Sequence, residues 1–325
     1  MTILLAGIDE AGYGPMLGPL CVGLSVFRLA EAAHDDAVDL WTRLSRGVCR
    51  SPGDARRRIA VADSKKLKTG GSVAELERTA LCFLARNNRE PTTDLDLLDT
   101  LGASLAPRWY SGDPRPIPVE ARISEIKTAS NLLRTAMATA SVEVVALRCA
   151  TLDEHAFNSL VASAGTKAAC TQACLGGHLR CIFDIARAEP LASNPSPTTH
   201  VRVTCDRLGG RAAYAPLLRT ELPDARIDTL EESHEASRYS LHVDGVTGVI
   251  EFRVRAEDAS LPVALASILA KYTRELAMTR FNAYWQSRCP ALKPTAGYVT
   301  DARRWLDDLA AYASPAEIAA MVRTR

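Results

Sequence analysis

Ala6-Gly-Ile-Asp-Glu-Ala-Gly-Tyr-Gly-Pro-Met-Leu-Gly-Pro-Leu20 is the stretch whose reading decides the fold. Ile3, Leu4 and Leu5 lead into it as an apolar strand, and Val22, Leu24, Val26 and Phe27 leave it as another. Between the strands stand two adjacent carboxylates, Asp9 and Glu10, and then glycines at 12, 14 and 18. Neighbouring side chains on a strand point to opposite faces, so an Asp-Glu pair ending a buried strand turns at least one charge inward. Divalent cations are the usual compensation. The glycines let the chain turn sharply and let another backbone, such as a nucleic-acid strand, approach closely. Taken alone, the stretch also reads as a hairpin with a solvated acidic turn, because short motifs are weak signals.

The 325 residues suffice for one large domain or two small ones, and a hydrophobic share of 47% provides a sizeable core. A net charge of +1 gives no global attraction to nucleic acid or membrane. Between Arg50 and Lys68, however, seven basic residues (Arg50, Arg56, Arg57, Arg58, Lys65, Lys66, Lys68) face two acids (Asp54, Asp63), a surplus of five. That is a candidate phosphate-facing patch, although an Arg56–Arg58 run also suits a solvated loop. The nine cysteines are odd in number and scattered, and neither a signal segment nor a membrane-length apolar run is read. A reduced, soluble, cytoplasmic protein is expected. Cys170, Cys174 and Cys181 lack the paired spacing of a zinc finger and are assigned to core packing.

Along the chain, strands are expected at 3–9 and 20–28, a short strand before Asp63, and a helix capped by Ser72 with Glu75 as its reciprocal partner. Prolines at 91, 107, 114, 116 and 118 mark 87–120 as an irregular insertion. A helix at 124–140, a strand at 142–148 and a helical stretch at 154–188 follow, and 190–199 reads as a loop. Val201-Arg-Val-Thr-Cys-Asp206 is an alternating strand ending on a carboxylate, with Gly209 and Gly210 after it. A helix at 212–221, a hairpin at 238–255 turning on Asp244-Gly245, and a long helix from about 260 complete the core elements. The order predicts an α/β fold, a mixed sheet flanked by helices. It is read as a single domain over 1–325, with insertions near 28–60 and 87–120 and a helical extension over 276–325.

Asp9 with Glu10, Asp206 at a strand end and Glu275 on a helix are separated carboxylates that can converge. Such a cluster suits two divalent ions about 4 Å apart, which serve phosphodiester hydrolysis. Hard oxygen ligands select Mg²⁺ or Mn²⁺. No HExxH, P-loop or Gly-x-Ser-x-Gly motif is present to anchor a zinc hydrolase, an NTPase or a serine hydrolase.

Gly7-Ile-Asp-Glu-Ala-Gly-Tyr-Gly-Pro with Leu17-Gly-Pro19 resembles the opening motif of type 2 ribonucleases H. Asp63-Ser-Lys-Lys-Leu67, Asp206-Arg-Leu-Gly209 with Tyr214 and Leu217, Ala256-Glu-Asp-Ala-Ser-Leu-Pro262 running into Ala266-Ser-Ile-Leu-Ala-Lys-Tyr-Thr-Arg-Glu275, and Gly297-Tyr-Val-Thr300 resemble its later blocks in order. About half the chain lies between these blocks and matches weakly. The resemblance implies an RNase H-like fold and metal-dependent endonucleolytic cleavage of RNA paired with DNA. The expected substrates are an RNA–DNA hybrid or a ribonucleotide-containing duplex DNA, with a 3′-hydroxyl and a 5′-phosphate as product ends. It implies Asp9, Glu10, Asp206 and Glu275 as metal-binding catalytic carboxylates and Lys65 and Lys66 as phosphate contacts. Tyr298 would stack on a sugar, and the Gly12-Tyr13-Gly14 backbone would sense the 2′-hydroxyl.

The sequence departs from the family pattern at Tyr13, where the family's Gly-Arg-Gly has arginine, and at Glu275, where ribonuclease HII usually has Asp. The first removes a bidentate phosphate contact. The second adds a methylene, which favours Mn²⁺ over the geometrically stricter Mg²⁺. Asp244 competes with Asp206 as the third carboxylate, and Asp258 is read as a cap for the helix near 260. Tyr298 also reads as a core aromatic. Two other functions fit: a nucleic-acid-binding protein that keeps the fold without efficient catalysis, and a structure-specific DNA nuclease.

Overall fold

A seven-stranded mixed sheet flanked by helices carries the molecule, as expected for the α/β class. The computed structural model describes residues 2–30, 38–189, 199–208 and 211–324; part of the 190–199 loop and both Gly209 and Gly210 lie outside the described residues. The strands are β1 (Thr2–Ala11), β2 (Leu20–Ala30), β3 (Val48–Cys49), β4 (Ile59–Ala60), β5 (Val142–Leu152), β6 (Thr199–Asp206), β7 (Arg226–Glu232), β8 (Ala236–Val243) and β9 (Val246–Arg253). In the large sheet they lie in the order β5-β2-β1-β6-β9-β8-β7, while β3 and β4 form a separate pair. β1, β6 and β9 run parallel at its centre, and the outer neighbours are antiparallel.

Alternation along β1 decides the layers. Ile3 and Leu5 pack under the helices on one face, and Leu4, Ala6 and Ile8 belong to the core on the other. The first face is covered by the helices Ala74–Arg86, Ile123–Ala140 and Leu261–Arg288, the second by Glu154–Ala164, Ala168–Ala188 and Ala215–Glu221. The Leu261–Arg288 helix is apolar nearly all round, because it lies between the sheet and an outer helical layer. It touches the sheet backbone to backbone. A Cβ on Gly7 would meet Pro262 C and Val263 N at 2.1 Å, and one on Gly23 would meet Ala266 O at 2.1 Å. Ser25 fixes the contact by donating its hydroxyl to Pro262 O at 2.7 Å.

A third core gathers round the second half of this helix, where Phe281 and Trp285 meet Trp109, Trp305 and Leu309. It shows that 87–120 is less irregular than its prolines suggest. Asp94–Leu101 is a helix with a Thr93–Asp96 capping box. Arg280 grips Asp94 with two bonds of 2.7 and 2.8 Å and also donates to the carbonyls of Tyr110, Gly112 and Asp113. Buried Glu77 accepts the N–H groups of Val119, Glu120 and Ala121 and the Tyr272 hydroxyl.

Other expectations shift. The helix after Ser72 starts at Ala74 without a capping box: Glu120 accepts the Val73 N–H and Glu75 pairs with Arg78. The 154–188 stretch breaks into two helices at Gly165, whose φ is +71°. β7 was not foreseen, since Arg226–Glu232 is polar and mostly exposed at the sheet edge. All nine cysteines are free. Cys170 and Cys174 sit in the core as expected, and Cys181 is half-buried, accepting from Arg148 at 3.1 Å. Among the described residues no helix is long and apolar enough to cross a membrane.

Candidate active site

The three parallel strands deliver acids to one end of the sheet. β1 pairs with β6 up to Ile8 opposite Cys205, so the next residues, Asp9 and Asp206, stand side by side. β9 ends one strand further along, with Arg253 opposite Asp206, and turns at Arg255 (φ +56°) into the short helix Ala256–Ala259 that carries Glu257. Carboxyl ends of parallel strands are the general position of sites in such sheets.

Asp9 faces the central helix, 9% exposed, where Ser267 hydrogen-bonds to it, and its carboxylate also accepts the Glu10 N–H at 2.8 Å. Burial raises its pKa, and the charges of Glu10 and Asp206 add to the rise. Burial and then Asp206 push Glu10 up to about 7, with Lys65 pulling the other way. Asp206 is raised by burial against the opposing Ala256 N–H at 3.2 Å and Lys65. Glu257 is raised by burial, with Asp206, Asp63 and Asp258 adding. Each acid thus holds its proton more tightly because of burial and its acidic neighbours.

Glu275 stands elsewhere. It lies eight residues past Ser267 on the central helix, about 12 Å along the axis at 1.5 Å per residue. Lys68 and Lys271 hold it at 2.7 and 2.9 Å. Burial acts to raise it, but the two lysines outweigh that and keep its carboxyl below the usual range. The structure places Asp9, Glu10 and Asp206 together with Glu257 as their acidic neighbour, and holds Glu275 apart on Lys68 and Lys271. Glu257 was missed because the block around it was read through Asp258 as a helix cap. Asp258 instead pairs with Lys66 at 3.0 Å and with Arg255. Asp244 lies on the turn opposite the start of β6, seven residues or about 23 Å from Asp206's level, and pairs with Arg187.

The remaining expected residues surround this end. Asp63 caps the short Ser64–Leu67 helix by accepting the Lys65 N–H at 2.9 Å, and Ser64 fastens it to Ser267 at 3.0 Å. Lys65 and Lys66 are exposed on that helix, Lys65 toward Glu10 and Asp206. Half-buried Tyr13 lines a small cleft with Glu10, Gln172 and Arg211. Gly12 has φ +91°, a conformation that favours glycine. Tyr298 is 51% exposed, so it is not a core aromatic, and the preceding Gly297 accepts the N–H groups of Met16 and Leu17. Beneath the loop that follows Asp206, Tyr214 stacks on Phe252 at 3.7 Å and accepts the Leu208 N–H.

The donor set is all carboxylate oxygen, crowded and faced by one lysine, which is the chemistry a hard divalent cation relieves. Asp9, Glu10, Asp206 and Glu257 would hold it. Among the described residues no three such groups are already closed around a single point.

No protein-family model and no curated protein matches the sequence. Among solved structures, the chain is similar to RNase HII from Archaeoglobus fulgidus, in its PCNA:RNase HII complex, at 15% identity and TM-score 0.42, covering 99% of this chain and 94% of that one. It is similar to ribonuclease H2 from Pyrococcus horikoshii OT3 at 14% identity and TM-score 0.42, covering 98% and 92%. A third similarity is to Bst-RNase HIII in complex with Mn²⁺, at 16% identity and TM-score 0.42, covering 99% and 66%.

Proposed function

We propose that the chain is a divalent-metal-dependent endonuclease of the type 2 ribonuclease H kind, acting on the RNA of an RNA–DNA hybrid or at ribonucleotides embedded in duplex DNA. The observation that carries this reading is the row of acids, Asp9, Glu10, Asp206 and Glu257, at the ends of three adjacent parallel strands. The order of the sequence blocks supports it.

When bound, divalent cations supply Lewis acidity for water attack and for the leaving 3′-oxygen. The chain's own residues do the positioning. Asp9 and Asp206 present oxygens from neighbouring strands, Ser267 orients Asp9, and the Ala256 N–H orients Asp206. Lys65 offsets part of the acids' charge, so a phosphodiester meets a less repulsive surface. Lys66 lies beside it, engaged with Asp258. Exposed Tyr298 offers a flat face to a sugar or base.

The test uses two labelled duplexes, one with a single ribonucleotide and one with a run of four, in Mg²⁺ and in Mn²⁺, with Asp206→Asn as control. Cleavage beside ribonucleotides that is lost in the variant is expected, with faster turnover in Mn²⁺; the extra methylene first assigned to Glu275 belongs here to Glu257, and Mg²⁺ is the stricter ion about ligand geometry. Equal or faster turnover in Mg²⁺ contradicts the metal preference. Tight binding without cleavage in either metal replaces the reading with that of a hybrid-binding protein, which the missing arginine at Tyr13 motivates. Equal cleavage of all-DNA duplex replaces it with a DNA nuclease.

A further inference from the structure

The loop between β1 and β2 is held from below by two arginines distant in sequence. Arg274, on the central helix, donates to the carbonyls of Leu17, Pro19 and Ala296. Arg323 donates to Gly12 O at 2.7 Å, Tyr13 O at 2.8 Å and Gly18 O at 3.3 Å. Both side chains are 2% exposed. Arg323 lies over the Phe157 ring, 4.2 Å from its centroid, and its own N–H donates to Met16 O. Glu154 completes the underside by accepting the Gly18 N–H at 3.0 Å.

This arrangement determines where the other side of each peptide points. In a trans peptide the C=O of one residue and the N–H of the next are antiparallel. The carbonyls of Gly12 and Tyr13 both point inward to Arg323. The N–H groups of Tyr13 and Gly14 therefore point away from it, outward at exposed Gly14. Neither donates to a protein acceptor among the described residues. A Cβ built on Gly14 meets nothing within 4 Å, so the space above is open. Two adjacent outward N–H groups make a concave receptor for an oxygen, and here a buried guanidinium lies behind them.

We infer that Arg323 is a positioning residue for substrate recognition, resting on the function proposed above. It orients the Tyr13 and Gly14 amides to receive an oxygen of the ribonucleotide, and it places a cation behind a loop that lacks arginine at position 13. The oxygen belongs either to the sugar 2′-hydroxyl or to its phosphate, and both offer a lone pair to an N–H.

The experiment compares the unmodified chain with Arg323→Met, Arg323→Lys and Gly14→Pro, each in an Asp206→Asn background so that duplexes stay intact. Binding is measured to two duplexes differing by one 2′-hydroxyl, and amide exchange is followed over residues 12–18. Arg323→Met is expected to weaken ribonucleotide-duplex binding about tenfold, the loss of one well-placed contact. Exchange should quicken at Met16, Leu17 and Gly18, and duplex-induced protection at Tyr13 and Gly14 should disappear. Arg323→Lys should recover part of the affinity. Gly14→Pro removes one N–H with Arg323 intact and should weaken binding comparably, which serves as the test should Arg323→Met not fold. Loss confined to the ribonucleotide duplex identifies the 2′-hydroxyl, and equal loss on both identifies the phosphate. Unchanged affinity in Arg323→Met with protection of Tyr13 and Gly14 retained overturns the inference. If the Asp206→Asn parent binds neither duplex, the proposed function is what fails, and exchange at Met16–Gly18 in Arg323→Met still decides whether the arginine holds the loop.

Discussion

Two groups of buried acids are treated in opposite ways. In the third core and its border with the central helix, each has partners: Asp94 has Arg280 on two bonds, Glu77 has three backbone N–H groups and Tyr272, and Glu154 has Tyr110, Trp109 and Gly18. At the ends of β1, β6 and β9 the acids face one another and their pKa values rise, with Lys65 opposing the rise at Glu10 and Asp206. The first arrangement serves the fold, because a compensated buried charge specifies one geometry. The second opposes the fold and suits a ligand, because it concentrates negative potential where a cation can relieve it.

The largest test of this contrast is catalytic. Asp206→Asn and Glu257→Gln should each lower turnover by about 10³-fold, the scale of removing one preorganised group, whereas Glu275→Gln should change it only a few-fold; the reverse ranking in a steady-state cleavage assay would return the fourth position to Glu275. On stability, Asp94→Asn strands Arg280 and should cost about 3–5 kcal/mol in chemical denaturation. A loss within about 0.5 kcal/mol, the level of an ordinary surface change, would mean that this pair does not hold the 87–120 segment.

His178 extends the comparison to pH. Burial against β2, where it shares a 2.9 Å hydrogen bond with Val22 O, depresses its pKa from 6.5 to about 4. The unfolded chain takes up this proton first. Stability from this group is therefore complete above pH 6.5 and is lost as pH falls toward 4, by about 3 kcal/mol at 1.36 per pK unit. His178→Gln should flatten that part of the stability–pH curve, and an unaltered slope would show that other groups set it. The smallest effect has the opposite sign. Asp9→Asn relieves the crowded row, whose burial and acidic neighbours disfavour its charge, and should raise the melting temperature slightly, and a fall in melting temperature would show Asp9 to be structurally needed.

Much of this site was legible. Asp9, Glu10 and Asp206 end alternating strands, and period-2 patterning says where strand ends lie. Asp206 separates from Asp244 once β6 and β9 are in parallel register, because the two acids then fall at opposite ends of the sheet. The fourth acid was not legible. Glu257 and Asp258 are adjacent in a four-residue turn, and which one faces Asp206 depends on the left-handed backbone at Arg255, a bulky residue with no outward sign of that conformation. Glu275 attracted attention through the block it closes, but helical rise carries it beyond the site. The Asp94–Leu101 helix hid among prolines because its strongest anchor, Arg280, lies 186 residues away. Arg323 gave no local signal, since all its polar partners come from the other end of the sequence.

The contact between Arg323 and Gly12 spans 311 residues. A ribosome adding about 5–20 residues each second needs roughly 15–60 s to cover that distance. Throughout that time the carbonyls of Gly12 and Tyr13 lack their guanidinium, and for much of it Asp206 and Glu257 are not yet made. The tether on the loop therefore comes from one of the last residues of the present sequence to be translated, so a chain cut just before Arg323 would hold all four acids and leave the carbonyls of Gly12, Tyr13 and Gly18 unheld by it.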